Sequence, residues 1–133
     1  MGYAVLHIDK ARSNDSGNTA HIARTYTPSN VDPSRTRLNR ELVQFPANVT
    51  NRSEAIEHRI ATAGIYRKVA KNQVKALRFI LSSSPEDMAH IEQEGLLYEW
   101  CDESMDWLRS TFGADIVVAA TLHADEDTPH IHA

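Results

Sequence analysis

The chain has 133 residues, of which 41% are hydrophobic and 24% are charged, proportions typical of one globular domain with a hydrophobic core. No apolar run reaches the roughly 20 residues that span a bilayer, so we expect no transmembrane helix in this sequence. The sequence excludes an internal disulfide, because Cys101 is its single cysteine. With no signal peptide predicted, we expect a cytoplasmic protein.

The formal net charge of −4 is unevenly distributed along the chain. Residues 1–80 contain thirteen of the fourteen Lys and Arg residues and six acids, which gives this half a charge of +7. Residues 81–133 contain Arg109 against twelve acids, which gives −11. A basic half favours contact with nucleic-acid phosphates, and an acidic half can hold a cation. Uneven charge also occurs in proteins that bind neither, so this feature alone does not decide.

The predicted elements begin with a strand at residues 3–8, where β-branched and apolar side chains are dense. After a polar loop, residues 18–26 are expected to form a short helix that carries His21 and Arg24 on one face. The region 27–51 is rich in Pro, Asn, Ser and Arg and shows no regular period. A stretch of this length inside a compact domain is usually functional or disordered.

The middle of the chain carries two helix-start signals with a strand between them. Asn51 and Glu54 have the spacing of a capping pair that opens a helix. A strand is predicted at residues 76–81 from their apolar and aromatic side chains. Ser84 and Pro85 are typical of the cap and the first turn of a second helix.

The last third of the chain predicts one more helix and a hairpin. The helix, stopped by Gly113, has an apolar stripe that indicates core packing rather than a cofactor site: Leu97, Cys101, Met105, Leu108 and Phe112. Residues 115–123 form the most apolar predicted strand, and a turn leads to another strand at residues 129–132. The mixture predicts an α+β fold with a largely antiparallel sheet packed by helices on one or both faces.

Three histidines near this hairpin are candidate metal ligands. His130 and His132 alternate along a strand and therefore share one face, while Ile131 points into the core. His123 meets them if the two strands pair, and three imidazoles from adjacent strands leave open positions suited to a catalytic ion. The bland alternative is a polar hairpin with solvated histidines. A zinc-protease site is excluded, since no helical His pair at i, i+4 has a neighbouring Glu.

Three motifs together resemble a known family. The first is His21-Ile22-Ala23-Arg24, the second runs from Asp32-Pro33-Ser34-Arg35 to Leu38-Asn39-Arg40-Glu41-Leu42, and the third is H-x-D-E-x-T-P-H-x-H at residues 123–132. In order and spacing they resemble the MobV relaxases, the Pre/Mob plasmid recombination or mobilisation enzymes, within the HUH endonucleases. The resemblance implies an HUH-like two-layer sandwich. Residues 1–133 would be the N-terminal part of the relaxase catalytic domain, and because the last strand is short, we expect the natural protein to continue.

The resemblance also implies roles for individual residues. It implies a divalent ion, Mn²⁺ or Mg²⁺, with three histidine ligands: His123, His130 and His132. His21 matches the family's nucleophile, and Arg24 would contact the scissile phosphate and offset its developing charge. Glu126 matches a family acid close to the site, where it would orient either His21 or a metal-bound imidazole; the sequence leaves both open.

The activity implied is that of a bacterial cytoplasmic relaxase, which nicks one DNA strand at a transfer origin and stays covalently attached to it. Its expected partners are single-stranded or locally melted origin DNA and other mobilisation or conjugation proteins. The candidate DNA-binding residues lie in the second motif and the basic middle region: Arg35, Arg37, Asn39, Arg67, Lys68 and Lys71.

Two alternatives stay open from the sequence. Tyr26, five residues after His21, is a rival nucleophile, and its use would favour an HUH rolling-circle replication initiator. Arg40 stands where some relatives carry tyrosine, so this position supplies no nucleophile. The other alternative is a DNA- or metal-binding module without catalysis.

Overall fold

The structure is a computed structural model that describes residues 2–11, 16–64, 67, 70 and 73–133, with only the backbone described for residues 16–18. The strands are β1 (Ala4–Ala11), β2 (Arg40–Glu41), β3 (Ala76–Ser83), β4 (Thr121–His123) and β5 (His130–His132). The α-helices are α1 (Ser16–Ile22), α2 (Arg52–Thr62), α3 (Pro85–Gln93) and α4 (Leu97–Phe112). Two 3₁₀ helices span Pro33–Leu38 and Ala114–Ile116. In the described ranges, no helix has the length and apolarity needed to cross a membrane.

Both predicted helix starts are confirmed. The Asn51 side chain accepts a hydrogen bond from the backbone N–H of Glu54 at 2.9 Å, while the Glu54 carboxylate accepts from the backbone N–H of Thr50 at 2.7 Å. Ser84 caps α3 by accepting from the N–H of Asp87, with Pro85 in the first turn. These bonds satisfy N–H groups that the first turn of a helix leaves without internal partners.

The strands form one antiparallel sheet in the order β1-β3-β5-β4-β2. The predicted α+β class with a largely antiparallel sheet is therefore confirmed. The short strand β5 lies in the middle, paired with β3 on one side and with β4 on the other. In the β4–β5 pair, Leu122 lies opposite Ile131 and His123 lies opposite His130.

The hydrophobic core lies between one face of this sheet and helices α3 and α4. Leu122 and Ile131 are fully buried in it, and they pack with Met88 of α3. The predicted α4 stripe is buried at four positions, Leu97, Cys101, Met105 and Leu108. The fifth, Phe112, is 39% exposed and contacts Phe79 edge-on with ring centroids 5.2 Å apart.

Three predicted boundaries differ from the structure. The strand expected at residues 115–123 is wrong over most of its length, because only Thr121–His123 forms a ladder, with β5 on one side and the two-residue strand β2 on the other. The region 27–51, for which the sequence predicted no helix or strand, contains a 3₁₀ helix and β2. The first helix ends at Ile22 rather than near residue 26, because Arg24 takes a left-handed conformation with φ of 56°, which an α-helix does not continue.

Candidate metal centre

The β4–β5 hairpin brings the three predicted histidines together on the face opposite the core. Leu122 and Ile131 point into the core, so the alternating side chains of His123, His130 and His132 share the other face. Their ring centroids lie 4.7 to 5.4 Å apart. The expectation that they project together is confirmed.

Backbone carbonyls fix which ring nitrogen of two histidines carries the proton. A carbonyl only accepts, so His123 Nε2–H donates to the carbonyl of Ile22 at 2.8 Å, which leaves its Nδ1 lone pair free. His130 Nδ1–H donates to the carbonyl of Thr128 at 2.8 Å, so the lone pair of the neutral ring lies on Nε2. Carbonyl partners of this kind orient histidine ligands in metal sites.

Ring nitrogens of the three histidines lie close to one another and to the Glu126 carboxylate. Single ligand atoms of His123, Glu126, His130 and His132 all lie within 4.8 Å of one another. Glu126 Oε2 is 3.0 Å from His130 Nε2 and 3.4 Å from His123 Nδ1. The Nε2 atoms of His130 and His132 are 3.0 Å apart, the separation of two ligands at right angles about an ion with bonds of about 2.1 Å.

One buried ring nitrogen of the cluster indicates that these residues fit a metal ion. His123 Nδ1 is buried and has no hydrogen-bond partner among the described residues. An unpaired buried acceptor is costly, so an atom of this kind calls for a ligand. Three imidazoles and one carboxylate suit a divalent ion such as Mn²⁺. The sequence predicted that Glu126 orients His21 or a metal-bound imidazole. In the structure, a carboxylate oxygen of Glu126 is itself one of the candidate ligand atoms.

Burial of the cluster favours unprotonated ring nitrogens, which can bind a metal ion. Burial lowers the pKa of His123 to about 4 and that of His132 to about 2, because a charged ring loses its hydration there. Burial alone would raise the pKa of Glu126, but the neighbouring His130 charge and a hydrogen bond from Asn30 lower it below its usual range. Near neutral pH the cluster therefore presents two neutral imidazoles, those of His123 and His132, and an ionised carboxylate, that of Glu126.

His21 lies at the end of α1, beside this cluster. Its ring centroid is 6.4 Å from that of His123 and 6.5 Å from that of His132. The His21 Nδ1 atom is 3.3 Å from the hydroxyl oxygen of Tyr26. Tyr26 is exposed, with 53% of its surface accessible to solvent. Of the two candidate nucleophiles, His21 is thus the one in ring contact with the histidine cluster.

Arg24, the last residue of the first motif, forms a buried ion pair with Asp125 of the third motif. Its Nε and Nη2 donate to the two oxygens of Asp125 at 2.9 and 2.8 Å, and Nη2 also donates to Glu126 at 3.1 Å. Its Nη1 donates to the carbonyl of His21 at 2.8 Å, and the side chain is 7% exposed. The phosphate contact expected for Arg24 stays a prediction.

Asp125 is the central residue that sequence reasoning missed. It is 1% exposed, and besides Arg24 it accepts from Thr36 at 2.8 Å and from Asn39 at 3.0 Å. Burial alone would raise the pKa of Asp125, but the hydrogen bonds from Arg24, Thr36 and Asn39 hold it well below its usual range. The available signal was an acid beside Glu126 in the third motif, facing a segment rich in Arg and Asn.

The predicted DNA-binding residues separate into two groups. Arg35 and Asn39 bind the hairpin turn instead of pointing freely outward: Arg35 Nε donates to the Ala124 carbonyl at 2.9 Å, and Asn39 accepts from the Ala124 N–H at 2.8 Å. Arg37 and Arg67 are exposed. Lys68 and Lys71 lie outside the described residues.

Comparison with known proteins gives concordant results. A family model described as plasmid recombination enzyme matches residues 1–133. The chain is 29% identical over 140 residues to the plasmid recombination enzyme type 3 of Staphylococcus aureus, covering 99% of this chain and 33% of that protein. It is 29% identical over 131 residues to a 65 kDa protein of Zymomonas mobilis, covering 97% and 22%. The chain therefore spans about a third or less of the length of these relatives.

Solved structures resemble the fold over nearly the whole chain. An Mn-bound crystal structure of the MobM relaxase domain with 22 nucleotides of plasmid pMV158 oriT DNA superposes with a TM-score of 0.84 at 23% identity. The match covers 98% of this chain and 68% of that domain. The same domain with 26 nucleotides of oriT DNA gives 0.69 at 18% identity. The relaxase-type fold implied by the three sequence motifs is confirmed.

Proposed function

The chain belongs to the plasmid recombination enzyme family, and from this membership we propose that it is a relaxase, which nicks one DNA strand at a plasmid or mobilisable-element transfer origin and stays covalently attached to it. The observation that carries the proposal is the position of His21, whose ring lies within 6.5 Å of two members of the candidate metal cluster. A nucleophile beside a group that binds phosphate oxygens is what phosphodiester cleavage requires.

The cluster of His123, Glu126, His130 and His132 would hold Mn²⁺ or Mg²⁺. When bound, the ion supplies Lewis-acid chemistry, since it withdraws charge from the phosphate oxygens that otherwise repel a nucleophile. The protein's own part is to keep the imidazoles of His123 and His132 neutral by burial. The carbonyls of Ile22 and Thr128 orient the rings of His123 and His130.

His21 is the proposed nucleophile. Its ring nitrogen forms a bond to the scissile phosphorus while the P–O3′ bond breaks, and the 3′ oxygen leaves with the electron pair and becomes a hydroxyl on taking up a proton. The product is a phosphoramidate between His21 and the 5′ side of the nick. The Tyr26 hydroxyl oxygen, 3.3 Å from Nδ1, can accept a hydrogen bond from Nδ1–H, which leaves the Nε2 lone pair as the attacking group.

The proposed substrate is single-stranded or locally melted origin DNA, because the scissile phosphate must reach a centre recessed against the sheet. Arg37 and Arg67 are exposed and suited to backbone phosphates, whereas Arg35 and Asn39 act by holding the hairpin turn. We place the activity in the bacterial cytoplasm, with other mobilisation or conjugation proteins as further partners.

The proposal is tested by mass spectrometry of the protein after incubation with Mn²⁺ and a single-stranded oligonucleotide carrying the cognate origin. Wild type and Tyr26→Phe are expected to form an acid-labile DNA adduct, and His21→Ala to form none. His58→Ala, which removes an exposed histidine of α2, is the matched control and should form the adduct. An adduct lost only in Tyr26→Phe would support a tyrosine nucleophile and a replication initiator. Stable DNA binding without any adduct would support a binding module.

A further inference from the structure

The buried carboxylate of Asp125 joins three separate segments of the chain at the edge of the site. Arg24 follows α1, Thr36 and Asn39 belong to the second motif, and Asp125 opens the turn between β4 and β5. The backbone adds to this, since Asp32 N–H donates to the Asp125 carbonyl at 2.7 Å. The turn that carries Glu126 is therefore fixed from two sides.

Arg24 pays a conformational cost to reach this carboxylate. Its φ of 56° lies in the left-handed region, which disfavours any residue with a Cβ and is most often filled by glycine after a helix. An arginine persists there when its side chain is over-determined by its surroundings. Here the guanidinium donates to Asp125 through two nitrogens, to the His21 carbonyl and to Glu126.

The Arg24 guanidinium thus links the nucleophile's backbone to a carboxylate of the candidate metal cluster. Nη1 holds the carbonyl of His21, and Nη2 lies 3.1 Å from Glu126 Oε2. A fixed positive charge so near a cation site opposes cation binding unless another charge offsets it. Asp125 supplies that charge, because its carboxylate is the only partner that meets the Arg24 guanidinium through two nitrogens among the described residues.

We infer that Asp125 is a positioning residue of the nicking site: by binding Arg24 it offsets the guanidinium charge beside the metal ligands and fixes His21 relative to Glu126. This inference rests on the proposed function for its DNA-cleaving part, while its metal-binding part stands on the cluster alone. Without the Asp125 charge, Arg24 would pair with Glu126 alone and draw that carboxylate away from the histidines.

The test compares Asp125→Asn, the double variant Asp125→Asn/Arg24→Gln, and Glu92→Gln in the full chain. Glu92→Gln is the matched control, because it also replaces an acid that pairs with an arginine, Arg35, but Glu92 is not a member of the candidate metal cluster. Mn²⁺ affinity is measured from the electron paramagnetic resonance signal of free Mn²⁺, and folding is checked by circular dichroism.

We expect Asp125→Asn to weaken Mn²⁺ binding by about tenfold or more, the range seen when groups that support metal ligands are replaced. Glu92→Gln should stay within about twofold of wild type. The double variant, which removes the opposing charge, should recover Mn²⁺ affinity to within about threefold, yet form the His21–DNA adduct at least about tenfold more slowly at saturating Mn²⁺. A role in fold support alone predicts no such recovery of affinity.

Two results would overturn the inference. One is a folded Asp125→Asn with wild-type Mn²⁺ affinity, and the other is a double variant that fails to regain affinity or forms the adduct at the wild-type rate. If Asp125→Asn does not fold, the double variant, which buries no unpaired charge, is used alone. Its Mn²⁺ affinity and its rate of adduct formation then decide the inference. A wild type that forms no adduct counts against the relaxase proposal, and the Mn²⁺ affinities then decide the inference by themselves.

Discussion

Binding of Mn²⁺ should raise the thermal stability of the folded protein, because the candidate metal cluster exists only in the folded state. The candidate ligands come from β4, β5 and the turn between them, so they converge only when the hairpin is formed. An ion that binds the folded state and ignores the unfolded one stabilises the fold by mass action.

The magnitude depends on ion concentration and chain length. At a free concentration one hundred times Kd, the added stability is about 2.7 kcal/mol. An unfolding entropy of about 2.1 cal/mol/K per residue gives a chain of 133 residues about 0.28 kcal/mol/K. The midpoint Tm should therefore rise by about 10 °C.

Differential scanning calorimetry with and without Mn²⁺ measures this shift, each variant serving as its own metal-free reference. His132→Ala removes a ligand nitrogen and should reduce the shift to about 2 °C or less. His90→Ala, at an exposed position of α3, should keep the full shift. An equal Mn²⁺ response in His132→Ala and wild type would refute the assignment of the cluster as the metal site.

Two further predictions concern the fold. Ile131→Ala should lower the free energy of unfolding by about 2–5 kcal/mol, because it opens a cavity under the central strand. Urea denaturation measures this loss. The control Leu6→Ala, at a half-exposed position, should lower the free energy of unfolding by well under half as much. Hydrogen bonds from Thr50 lower the pKa of Glu54, so its stabilising effect is present above the ordinary value of 4.5 and is lost as pH falls through the lower folded value. Glu54→Gln should therefore show a weaker loss of stability in acid, measured by unfolding between pH 5 and pH 3, and an unchanged pH dependence would contradict the role of this bond.

Local rules were enough to predict the centre of the site from the sequence. The strand period of two places His130 and His132 on one face and Ile131 on the other, whatever the rest of the sheet does. The caps of α2 and α3 and the buried stripe of α4 depend on residues three or four apart, and these predictions are also confirmed.

Long-range contacts account for what the sequence did not predict. Asp125 is recognisable as a central residue only when Arg24, Thr36 and Asn39, which lie 86 to 101 positions away, are known to surround it. The apolar run at residues 115–123 matched the composition of a strand, but a strand needs neighbours, and β2 and β5 pair with only residues 121–123 of this run. Composition predicts what a segment prefers, and the available partners decide what it forms.

The central place of β5 has a consequence for the motions of the site. Strands bonded on both sides open only with the unfolding of a whole cooperative unit, whereas edges and loops open locally and often. The backbone amides of His130 and His132 should therefore be among the slowest to exchange with deuterium. The spacing of these two rings is then maintained for as long as the sheet itself persists, and the pair is pre-formed rather than assembled around a ligand.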